Sequence, residues 1–187
     1  MFVFFALEDI RTRDETIEDL LRKMSSGDKD AIGVLYSLIK DDVYAYALSK
    51  LRNSADAEDV LHDTFVKIYR YSSKYKPQGK PMAWIITIAM NVSRRHRELK
   101  GRHISYDESI SDIEQADSSF EDATIKNDFV RQLLKILSED EREIVVLHAV
   151  AGMKHREIAE TTGRPLATVL SKYNRAIKKL RDVVQEV

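Results

Sequence analysis

Between Gly152 and Leu180 the chain reads GMKHREIAETTGRPLATVLSKYNRAIKKL. The chemistry on offer there is hydrogen-bond donation and positive charge laid along one helix face. At about 100° per residue, Thr168, Ser171, Lys172, Arg175, Lys178 and Lys179 share one side. Val169, Tyr173, Ala176, Ile177 and Leu180 share the opposite side, with Leu166 beside them, and Leu170 and Asn174 lie on the flank between. Such a face suits phosphate oxygens and base edges in a major groove. From Arg164 to Arg181 the chain carries six Lys and Arg residues and no acid. A short helix and a glycine turn precede this span, which is the arrangement of a helix-turn-helix. The plainer alternative is a solvated helix closing a bundle.

Pro81 to Lys100 repeats the logic. Trp84, Ile85, Ile88, Val92 and Leu99 form an apolar stripe, and Thr87, Asn91, Arg94 and Arg95 line the other side. Tyr69, Tyr71 and Tyr75 lie upstream. Aromatics beside cations suit unstacked bases of a single strand, although Trp84 in particular also fits a core. Ser54 to Tyr69 differs: Ala57, Val60, Leu61, Thr64, Phe65 and Ile68 form its inner side. Asp56, Asp59 and Asp63 line the outer side, with Val66 among them. An acidic stripe holding an exposed apolar residue repels DNA and can dock a basic protein partner; its plain alternative is a solvated face.

Catalytic chemistry finds little support. The five histidines, His62, His96, His103, His148 and His155, form no H-E-x-x-H or comparable metal spacing. No phosphate-binding loop or nucleophile elbow occurs. No cysteine is present, which excludes disulfides and thiolate metal sites and fits a reducing cytoplasm. Neither a catalytic residue, a metal ligand nor a cofactor is expected.

The elements that must position these faces are helical. The chain has 187 residues, 43% of them hydrophobic, with only 6 Gly and 3 Pro, enough for one large domain or two small ones. Net charge is −1, so charge distribution carries the information. Arg94 to Arg102 and Arg164 to Arg181 are basic blocks. Asp107 to Asp128 carries eight acids against Lys126. Helices are expected over Glu15–Ser25, Asp28–Lys40 with Asp28 as N-cap, Asp42–Leu51, Ser54–Tyr69 and Pro81–Lys100. Polar residues from 101 to about 122 read as a linker. Ser138 to Glu141 fits a capping box, Gly152 ends the helix that follows, Lys154–Thr161 is next, and Pro165 sits at or next to the first position of the last. The opening MFVFFAL is too short to cross a bilayer and lacks the features of a signal peptide. It is compatible with packing on the fold, with fraying, or with a start codon placed too early.

Taken in order, these blocks resemble bacterial sigma factors of the extracytoplasmic-function (ECF) group, from about Glu15 onward. Ser26-Gly27-Asp28 with Ala31 and Leu35-Tyr36 is similar to the opening helices of that family. Asp56-Ala57-Glu58-Asp59-Val60 followed by Asp63-Thr64-Phe65 resembles its polymerase-binding segment. Pro81-x-Ala83-Trp84-Ile85 with Ile88-Ala89 and Asn91 resembles its promoter −10 segment, and Gly152 to Leu180 its −35 reader.

The resemblance implies an all-α fold of two helical domains joined by a flexible acidic linker. The divisions would be an N-terminal extension over 1–14, a region 2 domain over 15–102, the linker over 103–122 and a region 4 domain over 123–187. It implies a promoter-specificity subunit without catalytic activity, binding the clamp and flap regions of core RNA polymerase. Asp56, Asp59, Asp63 and Val66 would meet the polymerase. Tyr75, Lys76, Lys80, Asn91, Arg94 and Arg95 would meet the −10 DNA, the loop and Asn91 taking flipped bases and the arginines the backbone. Thr168, Leu170, Ser171, Lys172, Asn174, Arg175 and Lys178 would meet the −35 DNA. Leu170 stands where relatives commonly carry a basic residue, and Asn174 where they often carry an aromatic or hydrophobic one. The further implied partner is an anti-sigma protein covering both modules. The expected location is cytoplasmic without membrane insertion, or at the membrane when such an inhibitor holds the protein there. Two rival readings are a stand-alone helix-turn-helix regulator, which needs neither the acidic stripe nor a second basic module, and a small nuclease, which needs a catalytic constellation.

Overall fold

The computed structural model describes residues 2–104 and 135–185, with side chains for 12–100 and 135–183. All regular structure among the described residues is helical: α1 (Phe2–Ser25), α2 (Ala31–Leu51), α3 (Ser54–Tyr71) with a 3-10 turn over Ser72–Lys74, α4 (Pro81–Ile104), α5 (Glu139–Ala149), α6 (His155–Thr162) and α7 (Leu166–Gln185). Most of the expected linker, its acidic run and the start of the second module lie outside the described residues.

The helix boundaries follow local chemistry. The first helix begins at Phe2 rather than Glu15, so residues 2–7 of the apolar opening belong to it. The pieces expected over Asp28–Lys40 and Asp42–Leu51 are one helix, α2, starting at Ala31. Asp28 still serves its start from outside, its Oδ1 accepting the amides of Asp30 at 2.9 Å and Ala31 at 3.3 Å. Arg52 breaks the chain at left-handed φ 56°, and Asn53 caps α3 by accepting the amide of Asp56 at 3.0 Å. Pro81 opens α4, where its missing N–H costs nothing. Ser138 and Glu141 form the expected capping box on α5. That helix ends at Ala149, before Gly152. Gly163 closes α6 in the left-handed region at φ 68°, a conformation disfavoured once a Cβ is present. The amides of Thr168 and Val169 then bond back to the Pro165 carbonyl, so Pro165 sits one position ahead of α7.

Helices α1 to α4 bury Ile17, Leu21, Leu35, Ile39, Val43, Ile68, Ile85 and Ile86 completely. Ala47, Leu48, Ala57, Val60 and Val92 form a neighbouring cluster at the far end of α2. The helix-turn-helix closes over Ile144, Leu147, Ile158, Val169 and Ala176. Two residues of the expected apolar stripes are exposed instead: Leu99 at 48% and Leu166 at 37%. Leu99 lies in the last turns of α4 and Leu166 opens α7.

The two modules touch. Helix α5 packs on α2, and the C-terminal part of α2 is therefore buried almost all round, from Tyr46 through Lys50. A helix enclosed on every side loses its polar face, yet Lys50 lies here. It answers the burial by pairing with Glu139 at 3.0 Å and Glu143 at 3.2 Å, both on α5. Arg97 of α4 shares Glu139 at 3.0 Å. Lys80, before α4, bonds Glu157 of α6.

Candidate nucleic-acid interface

The α7 face is positioned by burial of its opposite side. Val169 and Ala176 are fully buried, and Tyr173 packs against His148 and His155 at ring separations of 5.0 and 4.5 Å. Leu170, Ser171, Asn174, Arg175 and Lys178 are exposed, and Thr168 is half-buried. The cations do not all remain free. Lys172 bonds Asp140 at 2.6 Å and Lys179 bonds Glu141 at 2.7 Å. Arg164 forks onto Asp140 at 2.7 Å and Glu143 at 2.8 Å. Acids in the first half of α5 thus hold α7 and the turn before it in place. The Lys172 bond, partly opposed by burial, keeps the Asp140 carboxyl below its ordinary range. Lys172 is therefore spent partly on architecture, contrary to the wholly DNA-facing placement read from the helical wheel. The wheel could not see α5, which lies outside its own period.

Helix α4 presents Asn91, Arg94 and Arg95 to solvent, and Arg94 bonds the Asn91 Oδ1 at 3.2 Å. The loop ahead of it, 75–80, is anchored by Tyr75. That ring lies 5.0 Å from the Trp84 ring, and its hydroxyl donates to Glu18 of α1 at 2.7 Å. Trp84 is accordingly half-buried as the loop's backstop rather than wholly core. Tyr69 and Tyr71 are exposed, at 41% and 44%. Lys76 is exposed, whereas Lys80 is engaged by Glu157. A cleft of ≈ 480 Å³ runs between the two modules here, with Tyr75, Lys80, Trp84 and Thr87 on one wall and Glu157 and Glu160 on the other. The module carrying α4 and the helix-turn-helix, separate in the sequence reading, meet at this wall.

Helix α3 buries Ala57, Val60, Thr64, Phe65 and Ile68, as its period requires. Asp59 and Asp63 are exposed and Val66 half-buried beside them. Asp56 departs from the expected stripe. Its side chain is only 13% exposed and pairs with Lys100 at 2.6 Å and His96 at 3.1 Å. Burial would raise its carboxyl, but these two partners prevail and hold it below its ordinary range. Both partners come from α4, more than a helix away in sequence, so the stripe pattern gave no sign of them. Asp56, Asp59 and His96 bring ligand-type atoms within 4.8 Å of one another, but the Lys100 ammonium on Asp56 already answers that charge. One feature escaped the sequence reading: an apolar groove of ≈ 530 Å³ between α2 and α3, lined by Ile32, Tyr36, Phe65, Val66 and Tyr69. Val66, expected from the sequence as an exposed apolar residue and found half-buried, was its sole sequence signal.

No helix among the described residues is long and apolar enough to cross a membrane. Residues 35–103 match the family described as Sigma-70 region 2, and residues 130–180 match Sigma-70, region 4. The chain is 24% identical over 176 residues to the ECF RNA polymerase sigma factor SigK of Mycobacterium ulcerans, covering 91% of this chain and 94% of the relative. It is 27% identical over 170 residues to the RNA polymerase sigma factor CarQ of Myxococcus xanthus, covering 89% and 97%. Among solved structures, the sigma factor RpoE of Bartonella quintana, in complex with the anti-sigma factor NepR, superposes with a TM-score of 0.59 at 22% identity, covering 82% of this chain and 96% of that one. CnrH, in complex with the cytosolic domain of CnrY, superposes with a TM-score of 0.56 at 22% identity, covering 91% and 98%. With the two sigma-70 regions matched in order over more than half of its length, and with full-length relatives of one kind, the chain belongs to the sigma-70 family, as an ECF sigma factor of promoter-specific transcription initiation.

Proposed function

We propose that residues 15–102 form the polymerase- and −10-binding domain and residues 123–187 the −35-binding domain. The carrying observation is that α4 exposes Asn91, Arg94 and Arg95 in addition to the donor face of α7. A stand-alone regulator needs only the second. Asn91 and the 75–80 loop take unstacked non-template bases of the −10 element, and Arg94 and Arg95 take its phosphates. On α7, Ser171, Asn174, Arg175 and Lys178 enter the −35 major groove, and Leu170 meets a thymine methyl. Asp59, Asp63 and Val66 dock core polymerase. Asp56 supports that face through its pairs to α4 rather than by direct contact. The protein has no catalytic activity of its own and works in the cytoplasm. An anti-sigma partner fits the same reading, since both structural relatives were solved with a bound partner.

Run-off transcription with bacterial core polymerase and a promoter library tests this. Specific initiation that depends on both promoter elements is expected. Tight operator binding by the protein alone, with no initiation, would turn the reading toward the stand-alone regulator.

A further inference from the structure

The loop 75–80 lacks regular secondary structure, so whatever shape it holds before a ligand arrives comes from its contacts. Its internal support is slight: the Tyr75 amide bonds the Ser72 carbonyl at 3.0 Å at its entry. Lys80 is held from outside by Glu157 of α6, and a further tie comes from α1. One carboxylate oxygen of Glu18, Oε1, accepts the Tyr75 hydroxyl at 2.7 Å and the Gly79 amide at 2.9 Å. These partners stand at the two ends of the loop, so a single atom ties the ends together. Gly79 adopts φ +69°, a left-handed conformation to which glycine is suited. The Tyr75 ring is in turn packed on Trp84. Burial, and then the Glu18 carboxylate, push the Tyr75 phenol upward, which keeps it protonated as a donor.

Glu18 does not line the cleft that the loop faces; it holds the loop from behind. A carboxylate close to a DNA-binding loop opposes phosphate binding, so contact with DNA is not what this geometry serves. We propose that Glu18 is a positioning residue for −10 recognition, presetting the 75–80 loop through the Tyr75 hydroxyl and the Gly79 amide. The proposal rests on the reading that this loop and Asn91 meet −10 DNA.

The test uses the full chain, free and as holoenzyme with bacterial core polymerase. The substitutions are Glu18→Ala, which removes the acceptor, and Glu18→Gln, which keeps an acceptor oxygen without the charge. In the free protein, the Gly79 amide should exchange with solvent faster in Glu18→Ala and remain protected in Glu18→Gln. In the holoenzyme, run-off transcription is measured from a promoter library with a fixed −35 element and randomised −10 bases. Glu18→Ala should reduce discrimination among −10 sequences by about tenfold, since small misplacements of positioning contacts cost rate steeply. Glu18→Gln should restore most of it, and −35 dependence and core affinity should stay unchanged in both. A purely structural role would lower all of these together and move the unfolding temperature. Asn91→Ala separates the two levels of inference. If Asn91→Ala changes −10 preference and Glu18→Ala does not, the positioning role is overturned and the −10 reading stands. If neither changes it, the −10 reading of this face fails and the role of Glu18 fails with it.

Discussion

Lys50→Met tests the contact between the two modules most directly. Lys50 and Glu143 each leave only 6% of their side chains exposed, and Glu139 completes the group. Breaking a buried pair so that one charge is stranded costs about 3–5 kcal/mol. Here neither acid is stranded: Glu143 keeps Arg164 at 2.8 Å, and Glu139 keeps Arg97 at 3.0 Å. The loss is closer to one charged hydrogen bond, about 2 kcal/mol, or about 30-fold in the ratio of closed to open arrangements. It falls on the junction, because once the modules part Lys50 regains water.

The chain has no native cysteine, so dyes placed on Ser37→Cys and Arg181→Cys, both exposed and in different modules, report separation cleanly by single-molecule energy transfer. Lys50→Met should shift the population toward separation. Lys23→Met, which removes an exposed pair with Asp19 inside α1, should leave it alone. Acid should act like Lys50→Met. Burial opposes ionisation of Glu139, but Lys50 and Arg97 prevail and lower its pKa. Its contribution is therefore complete above its ordinary value of 4.5 and is lost as pH falls through the lowered one. An unchanged dye separation in Lys50→Met, at neutral pH and across salt, would refute the reasoning.

Reversing Asp59 and Asp63 to Lys should abolish detectable binding to core polymerase while circular dichroism and unfolding temperature hold, since both side chains are exposed; wild-type affinity would show that this face is not the docking face. Arg175→Ala should weaken −35 DNA binding and make the slope of log K against log salt shallower by about 0.9, as loss of one phosphate contact requires. A parallel slope would mean Arg175 touches no phosphate. His155 should make the helix-turn-helix acid-sensitive. Burial, and then His148 stacked 4.7 Å away, lower its pKa from the ordinary 6.5. Its stabilising effect is present above 6.5 and is lost as pH falls toward the lowered value, because the unfolded chain takes up the proton first. His155→Phe, which keeps a ring against Tyr173, should flatten unfolding temperature between pH 7.5 and 5.5. Persistence of the wild-type pH dependence in that variant would assign it elsewhere.

Local chemistry explains why so much was legible in advance. The α3 core positions repeat at the helical period, and the Ser138–Glu141 capping box, the Gly163 turn and Pro165 each act within a few residues. The donor face of α7 and the Asn91–Arg95 face of α4 are likewise properties of single helices, readable because side-chain direction in a helix follows from spacing. The bounds of α1 and α2 were less legible. Asp28 announces a helix start, but its carboxylate reaches forward to amides that precede and open α2, so the pattern located the signal and misplaced the boundary.

What only tertiary structure decided is which charges are already answered. By spacing, Asp56 belongs with Asp59 and Asp63, and Lys172 with Arg175 and Lys178. Folding separates them, because Lys100 and His96 of α4 reach Asp56, and Asp140 of α5 reaches Lys172. Glu18 offered no motif at all; its role arises because α1 passes behind a loop far along the chain. The sequence by itself determined the helices, their faces and the kind of partner each face suits, since these depend on neighbours within a turn or two. The fold decided which of those side chains remain free to bind, since an ion pair depends on what another element brings within about 4 Å, and the attraction falls off with distance.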